Sequence, residues 1–156
     1  RGMDPVLLDR TFALALEARA NGDHPFGALL AVDGEVVAEA LNRVSSTHDL
    51  TAHAETELVR ALEREGRLGA LADGVVYASC EPCPLCIGAM FWAGARHIVF
   101  GLSAARLNAI STAPGEATRG FTITARELAA ATTAPMLVEG PFLEDAAAEL
   151  HDGFWH

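Results

Sequence analysis

Strands and helices alternate along this sequence as in an α/β fold, and three observations predict a three-layer α/β/α sandwich around a five-stranded mixed sheet. From Glu35 to Phe100 the apolar pattern reads strand, helix, strand, helix, strand. That order gives parallel strands with helices on both faces. Asp33-Gly34 separates two short apolar runs, the strongest local signal for a hairpin, and so adds an antiparallel strand. The chain has 156 residues, 51% hydrophobic and 21% charged, which suits one domain with a proper core and is too short for two of ordinary size.

The elements follow in order. Asp4-Pro5 reads as the cap and first position of a helix whose apolar face is Val6, Leu7, Phe12, Leu14, Leu16 and Ala18, ended by Asn21-Gly22. Phe26 to Val32 and Glu35 to Leu41 are the hairpin strands. Asn42 to Leu50 reads as polar loop, and Thr51 to Arg67 as a helix burying Leu58, Val59 and Leu62. Val75 to Ala78 has the β-branched content of a buried strand, Pro84 to Ala93 is helical, and His97 to Phe100 is a further strand. Gly101 to Gly120 reads as an irregular surface loop beside the site. Thr124-Ala125-Arg126-Glu127 is a capping box opening a short helix, Met136 to Glu139 is the last strand, and Phe142 to His151 is the C-terminal helix. Arg1-Gly2 ahead of Met3 reads as a cloning remnant, so the expected domain spans residues 3–156.

Charge and composition exclude several functions. Eleven Arg and no Lys stand against 21 Asp and Glu, a formal net charge of −10. A lysine Schiff base and a P-loop lysine are absent by composition, and a polyanion partner is disfavoured, because nucleic-acid binders usually show a basic stripe. No stretch reaches the length of a membrane span. Three cysteines gathered between Cys80 and Cys86 cannot staple a disulfide scaffold, so a reducing cytoplasm is the expected location.

The chemistry concentrates in Glu81-Pro82-Cys83-Pro84-Leu85-Cys86. Pro84 fits a first helical position, which puts Cys83 at the N-cap and Cys86 one turn on. Both sulfurs then lie at the positive end of a helix, where thiolates are favoured. A closed structural zinc site needs four protein ligands, and the chain has no second Cys-x-x-Cys. His53, in Thr51-Ala52-His53-Ala54-Glu55, is the candidate third ligand. Three ligands leave one position open for water, the arrangement of a catalytic zinc, with Glu55 free to move protons. Cys80 and Cys83 form an alternative pair on spacing alone, but Cys80 ends a strand and reads better as a buried inert thiol. Glu55 could equally be a first-turn helix carboxylate, a reading that a neighbouring zinc ligand makes secondary.

His53-Ala54-Glu55 followed by Pro82-Cys83-Pro84-Leu85-Cys86 resembles the zinc nucleobase and nucleoside deaminases, and the element order follows that superfamily over nearly the whole chain. His24-Pro25-Phe26-Gly27-Ala28 and the run from Glu81 to Ala89 are most similar to the bacterial guanine deaminases. The resemblance implies a cytidine deaminase-like fold, one Zn²⁺ per chain, a homodimer, and hydrolysis of a free base, guanine to xanthine and ammonia. Cytosine, triazine or nucleoside deamination is the alternative, with tRNA adenosine deamination beyond it. It also implies that Asn42 holds the base, that backbone near Ala54 orients it, and that an acidic residue in the 101–120 loop reads it, for which Glu116 is the sole carboxylate. Phe26 and Trp92 are candidates for an aromatic wall or for core, His24 for the pocket lining, and Trp155 for an aromatic lid or a frayed end. Leu50 stands where many relatives have proline before Thr-Ala-His-Ala-Glu, a change that leaves the metal chemistry untouched.

Overall fold

A computed structural model describes residues 2–156. Helix α1 (Pro5–Ala20) opens as the Asp4-Pro5 pair requires: the Asp4 side chain accepts the Val6 N–H at 2.9 Å. Its buried stripe is Leu7, Leu8, Thr11, Phe12, Leu14, Ala15 and Ala18. Val6 and Leu16, expected on that face, are 75% and 51% exposed because they lie off the stripe. Strands β1 (Gly27–Val32) and β2 (Glu35–Leu41) form the hairpin, with Asp33 and Gly34 both at positive φ (52° and 79°) as a type I′ turn demands. At Gly27 the backbone of α1 comes so close that an added Cβ would stand 2.7 Å from the Thr11 carbonyl oxygen.

Short helix α2 (Val44–Thr47) occupies part of the stretch expected as loop, closed by His48 in the left-handed region. Helix α3 (Ala54–Arg64) is shorter than expected at both ends, and α4 (Ala70–Asp73) is a single turn. Strand β3 (Val75–Cys80) leads into α5 (Pro84–Ala93), which has its expected bounds. Strand β4 (His97–Leu102) follows. Helix α6 (Ala104–Ser111) lies inside the stretch read as irregular, started by Ser103, whose side chain accepts the Arg106 N–H. Helix α7 (Ala125–Ala130) carries the capping box of Thr124 and Glu127. Strand β5 (Leu137–Glu139) and helix α8 (Glu144–Glu149) complete the order, α8 being shorter than expected because Leu143 turns at φ 49°.

The five-stranded sheet has the order β2-β1-β3-β4-β5. β1 pairs antiparallel with β2 and β3, while β3–β4 and β4–β5 are parallel. Successive side chains alternate between faces, so β1, β3 and β4 each feed two cores. Ala28, Leu30, Val76, Ala78, Ile98 and Phe100 pack with Leu58, Leu62, Ile87 and Met90 of α3 and α5. Leu29, Tyr77, Val99 and Leu102 face Leu8, Phe12 and Ala15 of α1 and Ala147 of α8. The sheet is mixed and the layers are three, as the sequence predicts. Among the described residues no helix is long and apolar enough to cross a membrane.

Candidate active site

Two helix N-termini meet beyond the carboxyl end of the sheet, the usual ligand position in open α/β sheets. His53 is the N-cap of α3 and Cys83 the N-cap of α5, both with extended backbone. Neither side chain caps its own helix, which leaves the imidazole and the thiol free for other work. Thr56 fixes the turn that presents His53: its hydroxyl donates to the Thr51 and His53 carbonyls. Cys86 follows Cys83 by one helical turn and is fully buried.

The three donors converge. His53 Nδ1 lies 3.5 Å from Cys83 Sγ and 3.3 Å from Cys86 Sγ, and the sulfurs are 3.6 Å apart. A tetrahedral zinc with bonds of about 2.3 Å to sulfur and about 2.0 Å to nitrogen separates such donors by about 3.5–3.8 Å, so the residues fit that ion. These three form a metal-binding group among the described residues, and Cys80 is not part of it. Cys80 is a buried free thiol, and burial pushes its pKa up. The metal donors behave differently. The hydrogen bond with Cys86, helped by His53, pulls Cys83 down to about 4, while Cys86 is pushed up because it holds the proton of the pair. His53 is raised, chiefly by its bond to Cys83. A metal cation held there would be bound by two thiolates and a neutral imidazole, releasing the protons these groups otherwise carry.

Beside the triad lies a cavity of about 190 Å³, with Asn42, Glu55, Cys83, Phe26, Glu81 and Leu107 among its walls. Glu55 is 7% exposed, and burial, reinforced by the Cys83 charge, raises its pKa to about 7. A carboxyl poised there can both take and give a proton near neutrality. Asn42 is buried, and its Oδ1 accepts the Val44 N–H at 3.0 Å, so the amide NH₂ is its free group. Ala54 is the first residue of α3, where backbone donors have no partner inside the helix.

His24 also lines the cavity, with its pKa lowered by burial. Trp155 closes against this edge, its ring 5.2 Å from His24 and 6.2 Å from Phe26. Its indole N–H donates to His151 Nδ1 at 3.0 Å. Arg19 of α1 holds the same tail by donating to the carbonyls of Leu150 and Asp152 at 2.8 and 2.6 Å, and it lies over the Phe154 ring.

Ala54 and Trp155 border the cavity without lining it, and two further expected site residues are placed elsewhere. Trp92 is 85% exposed on α5 and does not line the cavity, because the buried face of that helix runs through Cys86, Ile87 and Met90. Glu116 lies exposed in the stretch after α6 and does not line the cavity either. Sequence reasoning missed Leu107, because it missed α6, and missed Glu81 although that residue adjoins Pro82-Cys83. Ser103 as an N-cap was the available signal for α6.

The fold and the triad define a zinc-dependent deaminase acting on nucleobases or nucleosides. Residues 4–102 match the family model described as the cytidine and deoxycytidylate deaminase zinc-binding region. The chain belongs to that family. It is 37% identical over 97% of its length to a probable cytosine deaminase of Schizosaccharomyces pombe, covering 92% of that protein. It is 39% identical to the guanine deaminase of Bacillus subtilis over 61% of this chain and 62% of that one. A solved guanine deaminase of Nitrosomonas europaea superposes with a TM-score of 0.73 at 24% identity, covering 96% of this chain and 91% of that one, which supports the fold.

Proposed function

We propose that the chain hydrolyses the exocyclic amine of a free nucleobase, guanine being the named base, to give a carbonyl and ammonia. The observation that carries this is Glu55 buried in a small aromatic-edged cavity beside the His53–Cys83–Cys86 triad. His53, Cys83 and Cys86 would hold a zinc ion there, which would supply the Lewis acidity that lowers the pKa of the attacking water. Glu55 takes a proton from the attacking water and hands it to the ring nitrogen. It then carries the second proton to the departing amine, so water is consumed and ammonia released. Asn42 donates its amide N–H to an acceptor on the base, and Phe26 bounds the flat ring. General acid–base transfer of this kind contributes on the order of 10²–10⁴ in rate.

Guanine is supported by the likeness to guanine deaminases in sequence and in fold. Cytosine is the second reading, favoured by the relative matched over nearly the full chain and by Glu116 standing outside the cavity. Structured RNA is disfavoured, since a net charge of −10 repels a phosphate backbone. The same reading includes a homodimer, supported by Leu85 and Trp92 exposed on α5 (44% and 85%).

The test is ammonia release by the zinc-loaded chain from guanine, cytosine, adenine, their nucleosides, triazine analogues and tRNA. Guanine turnover is the expected result. Turnover of cytosine or a triazine without guanine replaces the named base, and turnover of tRNA with no free base overturns the substrate class.

A further inference from the structure

One carboxylate near the metal ligands holds two helices at once. Glu81 Oε1 accepts the Ala104 N–H at 3.0 Å, and Oε2 accepts the Ala125 N–H at 2.9 Å. Ala104 and Ala125 are the first residues of α6 and α7. Their N-caps, Ser103 and Thr124, commit their side chains to the third N–H of each helix. The first N–H of each therefore needs an acceptor from elsewhere in the fold. A carboxylate is the favoured acceptor, because both helix ends are positive.

The consequence lies in what these segments carry. Glu81 is two residues before the ligand Cys83, and it lines the cavity together with Leu107 of α6. Nothing in the chemistry described above uses it. We propose that Glu81 is a positioning residue: by bridging α6 and α7 it sets where the Leu107 wall stands and so how tightly the substrate is held. The free-base reading enters only through the choice of assay substrate.

Glu81→Gln keeps the size but offers one oxygen and one NH₂, so one of the two N–H groups meets a donor. The variant is assayed as zinc-loaded full chain on guanine and cytosine. KM for the base that is turned over is expected to rise about tenfold, with kcat within about threefold and zinc content unchanged. Amide hydrogen exchange at Ala104 or Ala125 is expected to quicken about tenfold while β3 amides keep their protection. In a Leu107→Ala background the KM effect is expected to vanish, since the wall through which Glu81 acts is gone.

Unchanged exchange at both amides overturns the proposal. So does a collapse of kcat at constant KM, or a KM effect of equal size with and without Leu107. If Glu81→Gln does not fold, Glu81→Asp, which is too short to reach both helices, is put through the same measurements. If the unmodified chain releases ammonia from no base, the free-base reading alone fails, and the exchange measurement still decides the bridge.

Discussion

His53 and Cys83 occupy positions where a helix normally finds its capping side chain, and both side chains turn to the metal site instead. The helix ends that lose this support lie where positive dipole ends favour thiolate. Asn42 shows the same economy: Val44 takes its oxygen, which leaves a donor for the base. His151 is the residue whose protonation the fold opposes most clearly. Burial, reinforced by the Arg19 charge, pushes it down to about 4, while its Nδ1 accepts the Trp155 N–H and Asp152 opposes the shift. An unfolded histidine titrates near about 6.5. A group with a depressed folded pKa keeps its contribution above the unfolded value and loses it as pH falls through the folded one. Stability is therefore expected to fall by on the order of 2–3 kcal/mol from this residue between about pH 6.5 and about pH 4. Urea unfolding of the chain and of His151→Asn at both pH values checks this. Equal losses in the two proteins assign the pH dependence to other groups.

At the scale of elements, legibility tracked how local the signal was. Pro84 starts α5 and Gly94, at φ 94°, ends it, so that helix was readable to the residue. The hairpin was readable because Asp33 and Gly34 both need positive φ. The metal triad was readable because each ligand lies at a helix start that the sequence marks. Helix α6 is not, because Ser103 alone marks its start while Gly101, Pro114, Gly115 and Gly120 crowd the stretch around it. The start of α3 was placed at Thr51, yet Thr51 to His53 stay outside the helix, and that offset is what frees the His53 ring. The hold of Arg19 on Leu150 spans 131 positions and depends on α1 meeting the tail, which no local pattern announces. The outward setting of Trp92 is not legible for a related reason: a helix of nearly continuous apolar residues does not declare which face is inside.

At the scale of the molecule, the sheet sets the site and the surface sets its company. Trp92 and Leu85 are large apolar groups left exposed on α5, while Cys86 of the same helix reaches the metal site. On the homodimer reading a second copy covers them. Sedimentation at micromolar concentration is expected to show a dimer for the unmodified chain and a monomer for Trp92→Arg, because burying an unpaired charge is costly. A monomer in both cases removes the dimer from the account.

The central claim is that Glu55 moves the protons of a hydrolysis carried out at the His53–Cys83–Cys86 site. The most direct test is the kcat for ammonia release by zinc-loaded Glu55→Gln, on whichever base the unmodified chain turns over. The account predicts unchanged zinc content, an intact fold and a kcat lower by roughly 10²–10⁴, since the amide fills the same space but cannot shuttle protons. A Glu55→Gln chain that holds its zinc and turns over at the unmodified rate would contradict it.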